Sequence, residues 1–157
     1  MRRALLPLTL VAVAGLTGCS SNAVGVAVPA ANRTVRGWCA NLRLPATVQG
    51  LKKRSTNPES PQVAAWGSPA VALRCGVPRP SAALVSNQAQ AVTLDGSLTW
   101  LPLESSKPVD FVAVGRQAYV EVTIPLQYTA DHPAGDILLD LQPAIVRAIP
   151  ARTDGLL

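Results

Sequence analysis

Histidine occurs once in the 157 residues, cysteine three times, and aromatic residues make up only 4%. One cysteine is assigned below to lipid attachment. Two cysteines and one distant histidine do not make a zinc site, so no metal is expected. No serine lies in a GxSxG string, and neither a phosphate loop nor a dinucleotide fingerprint is present. No cofactor is expected, and no constellation for catalysis emerges. His132, in Asp131-His132-Pro133, reads as a solvated loop residue, and Asp136 and Asp140 read as capping and solvation on one helical face. The basic residues are scattered except at Lys52-Lys53-Arg54, which is too little for a nucleic-acid footprint. There is no internal repeat and no sustained low-complexity segment.

The longest apolar run, Ala4–Leu16, is also too short to span a bilayer. As a helix its thirteen residues reach only about 20 Å, against a hydrocarbon core of about 30 Å. With Arg2 and Arg3 before it, the run reads as a secretory signal. Leu16-Thr17-Gly18-Cys19 closes the run and resembles a bacterial lipobox. The resemblance implies cleavage before Cys19 and attachment of acyl chains such as palmitate to Cys19. The competing reading is an uncleaved anchor running on through Ala23–Ala31, against which Ser20, Ser21 and Asn22 count. Two or three acyl chains bind a membrane firmly where one is marginal. The expected location is the extracytoplasmic face of the cell membrane.

These features divide the chain into a signal peptide (1–18), a lipidated flexible tether (19–34), one folded domain (35–150) and a loose tail (151–157). The tether, rich in Ser, Asn, Gly, Ala and Pro, has a root-mean-square reach of roughly 20 Å. Without Arg2 and Arg3, twelve basic and nine acidic residues remain, a net charge of +3. The mature chain is rich in Val, Ala and Leu and should fold. Fourteen prolines and eleven glycines point to short elements and many turns.

Outside the cytoplasm Cys39 and Cys75 are expected to form a disulfide. It would close a loop of about 36 residues, for which chain entropy gives roughly 3–4 kcal/mol. The alternative is two unpaired buried thiols. Cys75 lies in Trp66–Pro80 (WGSPAVALRCGVPRP), the most distinctive string in the chain. Ala70–Cys75 alternates as a strand, with Val71, Leu73 and Cys75 on the apolar face and Arg74 on the other. Arg74 is expected to pair with a carboxylate such as Glu121 or Asp110, with ligand binding as the alternative. Trp66 is a candidate for lining a groove, although core packing is the simpler role for all three tryptophans.

The other elements follow from local signals. A short helix is expected to begin within Arg36–Leu42, and a second helical turn from Pro45 through Leu51. Lys52–Gln62 reads as an exposed loop; its three basic residues could touch anionic headgroups, the simpler reading being plain solvation. Asp95-Gly96 between β-prone runs signals a two-residue hairpin, and Gly115-Arg116 a second, of type II′. Ile137, Leu141, Ile145 and Ile149 mark the apolar stripe of a final helix, with Pro143 kinking or restarting it. The expected fold is α+β: a small antiparallel sheet of four or five strands, a C-terminal helix, a short N-terminal helix and one disulfide.

Trp38-Cys39, Leu44-Pro45, the WGSPAVALRCG stretch, Trp100 and Gly115–Val122 together resemble a family of uncharacterised actinobacterial envelope lipoproteins with a WGxPxVxLRCG motif. The resemblance covers roughly Trp38–Ile149. It implies an envelope setting and no activity, so no catalytic residue is carried over. The expected function is a non-catalytic binding or accessory role, with an envelope protein, a lipid or a cell-wall component as partner. The alternative is an envelope enzyme with an unrecognised site.

Overall fold

The computed structural model describes residues 22–81, 91–103, 109–131 and 133–155. In chain order the elements are β1 (Val24–Gly25), α1 (Arg33–Ala40), β2 (Thr47–Val48), β3 (Leu51–Arg54), β4 (Thr56–Asn57), β5 (Val63–Trp66), β6 (Val71–Val77), β7 (Val92–Leu94), β8 (Leu98–Leu103), β9 (Val109–Val114), β10 (Tyr119–Ile124), α2 (Gln127–Asp131) and α3 (Ala134–Ala148). Eight of the strands form one antiparallel sheet in the order β2-β3-β5-β6-β10-β9-β8-β7, while β1 and β4 form a small parallel pair. The fold is therefore mostly β. The expected α+β fold with a four- or five-stranded sheet is corrected to a sheet of eight strands.

The additional strands lie where polar residues and proline obscured the pattern. Val48 and Leu51 pair directly across Gln49-Gly50, both of which have positive φ (45° and 77°). This is a hairpin turn, not the expected helical turn, and a non-glycine residue at positive φ needs support. Helix α3 supplies it: Asp140 Oδ2 accepts from the Gln49 amide at 2.8 Å and from Gln49 Nε2 at 2.9 Å. Lys52–Arg54, expected in a loop, belongs to β3 and pairs with β5. Charged side chains suit a strand near a sheet edge, because they discourage pairing with another chain.

The two hairpins differ in outcome. Asp95 (φ 54°) and Gly96 (φ 65°) both take positive φ and join β7 to β8 as expected. Between β9 and β10 the connection runs over 115–118, longer than a two-residue turn. Arg116 accounts for the extra length. Its guanidinium donates to the carbonyls of Ile149 (3.3 Å) and Ser97 (3.1 Å), so the loop reaches across to the end of α3.

Both predicted ends of the domain extend further. Val26 and Pro29, within the expected tether, are buried, and the Pro29 carbonyl accepts from Gln62 Nε2 at 3.0 Å. Helix α1 begins at Arg33, with the Asn32 side chain accepting from the Val35 amide at its N-terminus. Beyond Pro150, Ala151 bridges to Arg116, and Arg152 donates to the Tyr119 hydroxyl at 3.2 Å. The start of the expected loose tail is thus tied to the sheet.

One sheet face carries the main core. Val71, Leu73, Cys75, Val120, Val122 and Ile124 pack with Ile137, Leu141, Ile145 and Ile149. The final helix runs unbroken through Pro143. Proline removes the bond to the Leu139 carbonyl, four residues back; both residues lie on the exposed side, where water can take its place. The Cys39–Cys75 disulfide is present, with a Cα–Cα distance of 5.7 Å, and staples α1 to β6. Buried Gln142, in the apolar stripe of α3, accepts from Trp100 Nε1 at 3.2 Å and donates to Leu94 O and Ser97 Oγ.

Candidate functional site

Strand register decides where the charged side chains stand. On the face opposite the main core, Val63, Arg74, Glu121, Val112 and Leu101 lie side by side across five strands. The next row holds Ala65, Ala72, Thr123, Asp110 and Leu103. Arg74 Nη1 donates to Glu121 Oε1 at 2.9 Å, which selects Glu121 as the expected carboxylate partner. Thr123 Oγ1 donates to Asp110 Oδ1 beside it. An apolar cluster of Val26, Val63 and Ala65 adjoins this polar patch on one side, and a cluster of Val77, Leu101, Val112, Val114 and Tyr119 on the other.

Arg74 is one-third exposed, its partner Glu121 about half as much (33% and 16% of the side chain). The Arg74 Nε atom is buried and has no hydrogen-bond partner. Such groups are uncommon in folded proteins. The guanidinium can offer its remaining N–H donors to a carboxylate, phosphate or carbonyl group, which is the chemistry arginine performs best.

Burial raises the Glu121 pKa above its ordinary 4.5; Arg74 opposes the shift, and the nearby Asp110 carboxylate adds to it. The folded chain therefore retains a proton that the unfolded chain has already lost. Stability falls as pH rises from about 4.5 through the raised value. Glu121→Gln, which keeps an acceptor for Arg74 but cannot ionise, is expected to flatten this part of the profile. Urea unfolding at a series of pH values reads the difference. Parallel profiles for the two proteins would contradict the assigned burial effect.

Trp66, the other candidate binding residue, is 0% exposed, and its indole N–H donates to the Pro45 carbonyl at 3.0 Å. It offers no surface to a ligand and is not brought to Arg74's face. The remaining landmarks of the WGSPAVALRCG stretch are also architectural. At Gly67 (φ 76°) a Cβ would meet the Tyr128 hydroxyl at 3.0 Å. At Gly76 (φ 88°) it would meet the Ala31 Cβ at 2.8 Å. Arg74 is the one member of the stretch whose charged end faces outward.

A second region lies beside Asn22 and the end of β3. A cavity of about 290 Å³ opens there, lined among others by Cys39, Leu42, Leu44, Lys53, Arg54 and Glu59. Arg54 donates to Gly67 O at 3.0 Å and to Asn22 O at 2.6 Å. Lys53 Nζ stands 6.0 Å from the Trp66 ring centroid. No local pattern marks these residues as gathering beside Asn22, because the contact joins positions more than thirty residues apart.

Among the described residues no three His, Cys, Asp or Glu side chains are grouped to hold a metal ion. No helix among them is long and apolar enough to cross a membrane. Cys19 and His132 lie outside the described residues. A family model described as a protein of unknown function (DUF3515) matches residues 4–153. No curated protein and no solved structure matches the chain.

Proposed function

We propose, for a chain that belongs to the DUF3515 family, the role of a lipid-anchored, non-catalytic binding or accessory module on the extracytoplasmic face of the cell membrane. The finer grouping with actinobacterial envelope lipoproteins is part of the same proposal and rests on the WGxPxVxLRCG motif. The observation that carries the reading is the position of Cys19. It directly follows the stretch read as a secretory signal and stands three residues before Asn22, whose carbonyl accepts from Arg54 in a domain that holds a buried disulfide. Disulfides persist in oxidising compartments, which agrees with export. The Arg74–Glu121 pair, set between two apolar clusters, supports a recognition role for the sheet face.

Purification of the native protein from membranes, with mass spectrometry of the co-purifying proteins and lipids, tests the role. An enriched protein, lipid or cell-wall fragment that is lost in Arg74→Ala is the expected outcome. Recovery with nothing enriched over an unrelated lipoprotein would overturn the binding reading.

A further inference from the structure

We infer that the cavity between the start of α1 and the adjoining ends of β6 and β10 binds a small organic carboxylate, held by the Arg79 guanidinium and the Tyr119 hydroxyl. The inference goes beyond the role proposed above, since it needs neither the acyl anchor nor Arg74. The cavity has a volume of about 300 Å³, at the small end of ligand pockets. Ala31, Val35 and Val77 supply apolar wall, while Arg79, Gln117 and Tyr119 supply polar groups. An apolar enclosure with a few polar groups is the usual form of a small-molecule site.

Arg79 makes no hydrogen bond or ion pair among the described residues. Its backbone is held nonetheless, because Pro78 and Pro80 fix φ on either side and Pro80 is buried. A charged group on a constrained backbone loses less freedom on binding. The neighbouring cations are already committed. Arg36 donates to the Ala31 carbonyl at 3.0 Å. Arg152 donates to the two Asp154 oxygens at 3.2 and 3.0 Å and to the Tyr119 hydroxyl at 3.2 Å. The Asp154 carboxyl is held below its ordinary range by the Arg152 hydrogen bond first and by the charge of Arg79 last, so Arg79 stands within electrostatic reach of this pair. Tyr119 is only 8% exposed. Its oxygen accepts from Arg152, while its O–H hydrogen has no acceptor among the described residues. A buried hydroxyl with an unspent donor calls for an acceptor, and the bond from the guanidinium strengthens it as a donor. One free guanidinium and one hydroxyl match a single carboxylate, which an arginine fork holds through two parallel bonds. A phosphate dianion would need a second free cation.

The test uses the native protein purified from membranes in detergent. The probe is N-acetylalanine, with N-acetylalaninamide as its neutral counterpart and inorganic phosphate as the competing anion. Ligand-observed NMR reads affinity. Protection of Arg79 from phenylglyoxal, a guanidinium-directed reagent, is read by peptide mass spectrometry. N-acetylalanine is expected to bind and to slow the labelling of Arg79, and the amide to do neither. Arg79→Gln should weaken binding at least about tenfold, the worth of a charged hydrogen bond. Tyr119→Phe, which keeps the ring, should weaken it roughly three- to tenfold. Lys52→Gln, which removes the same charge from β3, should leave it unchanged. No binding of N-acetylalanine, equal affinity in Arg79→Gln, or an Arg79 labelled at the same rate with and without the probe overturns the site. Equal binding of the amide, or tighter binding of phosphate, overturns the carboxylate. Unchanged affinity in Tyr119→Phe overturns the part given to the hydroxyl. None of these readouts needs an acyl chain on Cys19, so their failure leaves the anchored role standing.

Discussion

Replacing Cys39 and Cys75 together by alanine is expected to cost about 3–4 kcal/mol of stability, from the chain entropy released when the 36-residue link is opened. That is a large share of the roughly 5–15 kcal/mol by which a domain is stable. The loss has a location as well as a size. The bond joins α1 to β6, and the N-terminal segment leading into α1 lies against the same strand region through Ala31 and Gly76. Urea unfolding with and without reductant measures the effect. Reductant should bring the native sequence down to the double variant and leave the variant unchanged. A native midpoint unaffected by a reductant that demonstrably opens the bond would contradict the staple's role.

Gly76→Ala is expected to be comparably damaging, at about 2–5 kcal/mol. A left-handed backbone costs an ordinary residue about 1–2 kcal/mol. Forcing an extra methyl group into a packed region adds about 1–3 kcal/mol. Gly76 incurs both penalties, since its φ is 88° and its Cβ would stand 2.8 Å from Ala31 Cβ and 3.0 Å from Val35 Cγ1. Gly96 provides the control. Its φ is also positive, at 65°, but nothing lies within 4 Å of its Cβ position. Gly96→Ala should therefore cost only the backbone part. Equal losses at the two sites would show that the approach of α1 to β6 is not tight, and would weaken the structural account of the LRCG string.

Elements with strong local periodicity were legible in the sequence. The alternation of Val71, Leu73 and Cys75 places them in the core, and the four-residue spacing of Ile137, Leu141 and Ile145 places α3 on the sheet. Asp95-Gly96 formed its turn because both residues tolerate positive φ. Each of these signals depends on near neighbours in the chain. The missed features depend on distant ones. Gln49 adopts a turn conformation while donating hydrogen bonds to Asp140, in a helix more than ninety residues later. The charged run Lys52–Arg54 became a strand because β5 offered it a pairing edge, so propensity yielded to tertiary context.

The candidate site divides in the same way. Arg74 could be assigned to the outward face from alternation alone, and a partner at Glu121 followed from the β6–β10 register. The two buried apolar clusters flanking it could not be foreseen, because one joins residues of two separate segments and the other residues of four strands. Trp66 takes the simpler of its two expected roles, core packing. Its candidacy for lining a groove fails, because its indole N–H is satisfied by Pro45 and the ring has no exposed surface. The string is distinctive because each landmark serves the fold: Trp66 fills the core, Gly67 and Gly76 permit close approach, and Cys75 holds the staple.

A disulfide staples the sheet to α1, and the proposed anchor holds the domain at the membrane through Cys19. The intact mass of the native protein extracted from membranes, taken with alkylation before and after reduction, tests both parts together. The predicted result is a chain that begins at acylated Cys19 and has no alkylatable thiol until reductant is added, when two appear. A chain that begins elsewhere, an unmodified Cys19, or two reactive thiols without reductant would contradict it.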